Sequence, residues 1–267
     1  MHQKPTLTTQ QSNLINNLQQ LEEKSNQINH ILDSPITDEE VRSNVKLLKN
    51  NKTAASDKIK NEMIRHSVDY MCSTYTKLFN LILKAGIFPD AWRVGSLTPI
   101  FKSGNISDTN NYRGICVSSC LGKFVSSILN QRLLNNVEKN SLLHESQIGF
   151  MPGYRTSDHI FSLRTIIDKY VKASTKGTIY ACFIDFKKAF DSVWHDGLFL
   201  RLLQNNINGN FYSLIKSLYS KSKCFIKLGS KRTQTFDYAR GVRQGCILSP
   251  LLFNLYLNKL SLQLDHT

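Results

Sequence analysis

Apolar residues recur at helical spacing through several long stretches of the chain, and between them lie short β-branched and aromatic runs bounded by turn residues. Val41, Val45 and Leu48 follow Thr37 and Glu40, whose spacing is that of a capping box, so ordered structure is expected to begin with a helix there. A second helix is expected from about Ser56 to Lys84, with Gly86 as its stop and Pro89 just beyond. "WRVGSLTPIFKSGN" reads as a strand entering a hairpin, and residues 121–138 as a helix. The loop "QIGFMPGYRTSD" is punctuated by Gly and Pro, and Ser157 or Thr156 is placed to cap the helix after it. "TIYACFIDF" has the length and composition of a strand and ends at Asp185. Two helices follow, "WHDGLFLRLLQ" and "NFYSLIKSLYSK", then a hairpin turning at Gly229 and Ser230. The last predicted helix, "SPLLFNLYLNKLSLQL", has Ser249 as N-cap and Pro250 in its first turn. Residues 1–36 are rich in Gln and Asn and read as a loose polar lead-in. Helices and strands interleave with hairpins, so the expected class is α/β (α+β), with a sheet that is at least partly antiparallel.

Charge changes the picture more than composition does. The chain is 41% hydrophobic and 20% charged, as ordinary globular proteins are, but 34 Lys and Arg against 20 Asp and Glu leave a net +14. Such an excess favours a polyanionic partner, because cations clustered on phosphates gain affinity by releasing counterions. The six cysteines include no Cys-x-x-Cys pair, which argues against a zinc site; Cys182 and Cys246 lie in apolar stretches and read as small buried hydrophobes. The N-terminus lacks the apolar core of a secretory signal and no apolar run reaches membrane-spanning length, so the expected setting is intracellular, cytoplasm or nucleus, with no membrane partner.

Two segments carry candidate chemistry. Asp185 ends the run "YACFIDF", and Asp191 stands just before a predicted helix, where a cap or first-turn role is the simpler reading. In "GVRQGCILSPLLFNLY", Gly241 and Gly245 surround Gln244, and glycines so placed let a backbone come close to a bulky ligand.

Taken in order, "FIDFKKAFDSVWH" and "GVRQGCILSPLLFNLYLNKL" resemble two central motifs of the reverse transcriptases of non-LTR (LINE-like) retrotransposons. "EVRSNVKLLKNNKTAASDKI", "FPDAWRVGSLTPIFKSGN", "NYRGICVSSCLGKF" and "QIGFMPGYRTSDHI" resemble that family's upstream segments, so the resemblance covers roughly residues 38–267. It implies a right-hand polymerase, with a fingers-like part over residues 37–178 and a partial palm over 179–267, acting on an RNA template, a DNA primer and deoxynucleoside triphosphates. It implies Mg²⁺ held by the carboxylate of Asp185 and the backbone carbonyl of Phe186, and a steric gate against the 2′-hydroxyl at Phe190. Gln244 matches the glutamine of the nucleotide pocket; Lys102 and Arg113 match cations that grip the triphosphate, the alternative being solvated charges beside a hairpin. Gly149, Phe150, Gly153 and Arg155 match the template loop, although Tyr154 stands where the family more often has a basic residue. Lys187, Lys188, Arg240 and Arg243 are expected to add basic lining to the cleft.

The family's third motif, a Tyr-x-Asp-Asp hairpin, has no counterpart among these residues, which contain no Asp-Asp dipeptide. The resemblance therefore implies a polymerase fragment that is inactive by itself, and the alternative is a basic nucleic-acid-binding remnant without chemistry.

Overall fold

The computed structural model describes residues 8–25, 29–172 and 178–264. The lead-in contains a helix, α1 (Thr9–Lys24), begun by a capping box in which the Thr8 hydroxyl and the Gln11 amide serve each other's backbone N–H groups. Leu14, Leu18 and Leu21 turn to the core while Asn13, Asn16, Asn17, Gln19 and Gln20 stay in solvent, so a narrow apolar stripe suffices to dock a helix that is polar on average.

The expected capping box at Thr37 and Glu40 opens α2 (Asp38–Val45). The long helix α3 (Asn61–Ala85) ends at Gly86 in the left-handed conformation, φ 62°. One turn, α4 (Asp90–Arg93), delivers the chain into β1 (Val94–Phe101), which pairs antiparallel with β2 (Tyr112–Val117) in the register Leu97 opposite Cys116. Helix α5 (Cys120–Lys139) runs through the core, where Phe124 meets Phe79 of α3 edge to face at 5.1 Å. Next come α6 (Thr156–Ile167) and a π-helical turn, Asp168–Lys172. The N-terminus of α6 is served by the Asp158 carboxylate, which accepts the Arg155 N–H at 2.5 Å, rather than by the Ser157 or Thr156 hydroxyl. The remaining helices are α7 (Ala189–Ser192), α8 (His195–Gln204), α9 (Gly209–Ser220) and α10 (Ser249–Leu264). Between α9 and α10 lie β3 (Lys223–Leu228), β4 (Lys231–Arg232) and β5 (Phe236–Asp237), with the hairpin turning at Gly229 and Ser230 as its residues require.

The sheet runs β2-β1-β3-β4, with β5 also on β3. Its central pair, β1 and β3, is parallel, so the sheet is mixed. Arg132 of α5 ties the N-terminal third to the core. Its guanidinium pairs with both oxygens of Glu40 and donates to the carbonyls of Leu32, Ser34 and Pro35.

Further expectations fail here. Residues 178–186 form no strand: Tyr180 is 95% exposed, Phe183 82%, and Cys182 is exposed rather than buried. A strand needs a neighbour for its backbone groups. Both edges of β1 are taken by β2 and β3, β3 is taken in turn by β4 and β5, and none pairs with this run. Ser249 does not cap α10 through its hydroxyl, which donates to the Arg243 carbonyl at 2.8 Å. Cys246 is half-buried, packed against the core rather than within it.

Candidate active site

The segments holding the two sequence motifs meet backbone to backbone. Val242 N–H donates to the Phe190 carbonyl and Gly241 N–H to the Val193 carbonyl, each at 2.8 Å. Gly241 has φ 93°, and a Cβ there would lie 2.8 Å from Asp191 Cα and 3.0 Å from the Phe190 carbonyl oxygen. Only glycine permits that approach. The Gly241 carbonyl is in turn 2.8 Å from His195 Nε2. A carbonyl only accepts, so Nε2 carries a proton. Burial holds His195 below its ordinary value, outweighing the hydrogen bond to Gly241 that favours the charged form. From the other side, Cys116 N–H of β2 donates to the Gln244 carbonyl at 3.0 Å.

This clamp forms one wall of an open cleft of about 630 Å³ lined by Lys102, Arg113, Asp185, Phe190, Asp191 and Gln244, together with Phe186, Lys187 and Lys188. Lys102 and Arg113 come from the β1–β2 hairpin and line the same cleft as Gln244. Phe190 is held as a plate between Phe150 at 5.6 Å and Phe253 of α10 at 5.0 Å. Phe150 reaches it because its loop is tied down: Asn254 of α10 donates to the Gly149 carbonyl at 2.7 Å, and Phe150 itself adopts φ 60°. Gly153 turns the same loop at φ 85°, and Arg155 is exposed at the start of α6, outside the cleft lining. Asp185 and Phe186 lie at the exposed edge of the cleft, on the unpaired run. A larger hollow of about 740 Å³ lies between the end of α5 and α10, but it gathers Leu142, Ile148, Met151 and Leu262 with Glu138, Glu145 and His144, and no Lys or Arg. It is unsuited to phosphates.

Three side chains differ from expectation, the first being Arg240, which is exposed and lies outside the cleft lining. Arg243 does not line the cleft: it is 2% exposed and donates to the Arg93 carbonyl and, at 2.9 Å, to Ser222 Oγ. The glycine-rich loop turns at Gly241, and that turn sends Arg243 into the core under the sheet. Asp191 is not a cap either. Its carboxylate accepts from Gln244 Nε2 at 3.0 Å on both oxygens, a partner 53 residues away that no local pattern signals.

A family model described as "Reverse transcriptase (RNA-dependent DNA polymerase)" matches residues 100–267, a span that holds every residue of the cleft. The chain belongs to the reverse transcriptase family. Within it, this reverse transcriptase domain is of the non-LTR, LINE-like kind. It is 30% identical over 246 residues to "Probable RNA-directed DNA polymerase from transposon X-element" of Drosophila melanogaster, covering 90% of this chain and 27% of that protein. It is 29% identical to "RNA-directed DNA polymerase from mobile element jockey" of Drosophila funebris (83% and 24%), and 31% identical to "Retrovirus-related Pol polyprotein from type-1 retrotransposable element R2" of Popillia japonica (70% and 26%). The chain thus spans about a quarter of the length of these relatives. Its mixed helices and sheet fit the fingers and palm of a polymerase. No described helix is long and apolar enough to cross a membrane.

Proposed function

We propose that the cleft seats the deoxynucleoside triphosphate of an RNA-directed DNA polymerase, with residues 37–178 as the fingers-like part and 179–267 as part of the palm. The observation that carries this reading is the convergence of two cations, an aromatic plate and an amide on one cleft with a carboxylate at its edge. Lys102 and Arg113 hold the triphosphate, Arg in bidentate fashion. The Phe190 ring, backed by Phe150 and Phe253, lies under the sugar and leaves no room for a 2′-hydroxyl. The loop of Gly149, Phe150 and Gly153, with Arg155 beyond it, contacts the RNA template, and the primer end meets the cleft at Asp185.

The family's magnesium, when bound, supplies positive charge at the attacking and leaving oxygens. Asp185 and the Phe186 carbonyl are the oxygen donors that would hold it. They suit one ion completed by substrate phosphates, since Mg²⁺ commonly takes one or two carboxylates. Asp191, already occupied by Gln244, adds no free carboxylate, and no group of three His, Cys, Asp or Glu gathers among the described residues.

The test is equilibrium binding of dTTP and UTP to this chain. Lys102→Ala with Arg113→Ala is expected to weaken dTTP tenfold or more, and Phe190→Val to bring UTP close to dTTP. Affinities that ignore both changes would sink the reading. The exposure of Asp185 on an unpaired segment favours a second reading, a basic surface that binds nucleic acid without chemistry. RNA affinity unchanged in Asp185→Ala, with no dTTP binding in any variant, would select it.

A further inference from the structure

Asp191 stands in a cleft that also gathers Lys102, Arg113, Lys187 and Lys188, and spends both carboxylate oxygens on one neutral amide. Tyr238 OH adds a long contact to Oδ1 at 3.5 Å. Burial first, and the nearby Asp191 charge second, push the Tyr238 phenol up, so it keeps its proton and remains a donor. An ionised carboxylate only accepts, whereas an amide has two unlike ends, an NH₂ donor and a carbonyl acceptor. The NH₂ of Gln244 must therefore be the end facing Asp191; the opposite orientation would set oxygen against oxygen. The backbone of Gln244 is fixed by Cys116, and that of Asp191 by the close approach of Gly241. With both ends of the pair anchored, the amide has one favourable orientation, and its Oε1, without a hydrogen bond among the described residues, is the end left over.

We propose that Asp191 is a positioning residue that locks the Gln244 amide, so that the cleft offers a hydrogen-bond acceptor, and not a donor, to the nucleoside of a bound deoxynucleoside triphosphate. The ligand half of this inference rests on the cleft being the nucleotide seat; the pairing itself does not. Without Asp191 the amide turns freely, and half of its orientations present NH₂ to a ligand group that is itself a donor. An unmade or mismatched hydrogen bond in a partly desolvated cleft weakens binding.

Two readouts test it. The first is the side-chain NH₂ proton pair of Gln244 in the ¹⁵N-labelled, ligand-free chain, assigned by its loss in Gln244→Ala. The pair is expected to be resolved and protected from solvent exchange in the wild type, and to move and lose protection in Asp191→Asn, which keeps the side-chain shape. Unchanged resonances in Asp191→Asn overturn the pairing. The second is a double-mutant cycle on dTTP affinity. Asp191→Ala is expected to weaken dTTP about tenfold and Asp191→Asn about threefold, each with less than a twofold effect when Gln244 is already Ala. Equal losses in both backgrounds mean that Asp191 acts on its own and overturn the proposal. Should Asp191→Ala not fold, the Asp191→Asn cycle decides. If the wild type binds no dTTP, and Lys102 and Arg113 make no difference, the nucleotide reading fails and takes the ligand half with it, while the NH₂ resonances still decide the pairing.

Discussion

A single absent methyl group at Gly241 lets the two motif segments touch. Gly241→Ala would place a Cβ against Asp191 Cα and the Phe190 carbonyl in a backbone conformation with φ 93°. The expected cost is about 2 kcal/mol or more, read as a lower urea midpoint together with weaker dTTP binding. His195 makes a related prediction with a definite sign. Its folded value lies below the ordinary 6.5, so its contribution to stability is complete above that value. The contribution is lost as pH falls through the folded value, because the unfolded chain then takes up a proton that the folded one resists. Urea unfolding at pH 7.5 and 5.5 should show the wild type weakening on acidification, and His195→Gln should flatten that part of the profile. At this scale the sequence was informative at Gly241, where a close backbone approach requires glycine. It misled at Asp191 and Arg243, because both follow local rules for exposed or capping residues and their actual partners lie far off in the chain.

Helix α9 opens at Gly209 with no local hydroxyl or carboxylate to meet its first N–H groups. Asp33 supplies them from the other end of the chain, accepting from Asn210 N–H at 3.0 Å and Phe211 N–H at 2.7 Å. Removing it in Asp33→Ala should cost about 1–2 kcal/mol, as loss of an N-cap does, and hydrogen exchange should rise first in the opening turn of α9. Such a cap is invisible to a search of neighbouring residues. Helix α5, by contrast, was legible almost to its ends, and α3 at its C-terminus, where Gly86 is its own stop, though its start fell five residues later than expected. Residues 178–186 failed for the opposite reason to α9: their local pattern is a strand's, but no described strand pairs with them. Pattern specifies a helix from within, whereas a strand is specified by two segments at once.

For the molecule as a whole, Arg132 is the side chain on which the N-terminal third depends. Burial works against the Glu40 charge, but the bonds from Arg132 and Thr37 outweigh it and hold that carboxyl below its ordinary 4.5. The pair is thus intact above that value and is lost as pH falls through the lowered one. Arg132→Met leaves Glu40 without its cation and the carbonyls of Leu32, Ser34 and Pro35 without the guanidinium, and a loss of about 3–5 kcal/mol is expected in the urea midpoint. The net +14 gives a separate prediction: affinity for single-stranded RNA should fall linearly on a log–log plot against salt, and a flat plot would mean that phosphates are not what is bound. The mixed sheet, finally, bears on how the chain comes to be made. Strand β1 gains β2 almost at once, but Val94 must wait for Lys223 before its second edge is paired. At about 5–20 residues per second that wait on the ribosome is on the order of ten seconds. Throughout it, the middle of the future sheet is an open edge able to recruit any extended chain nearby. Slower elongation between β2 and β3, or a shortage of chaperone, is therefore expected to lower soluble yield.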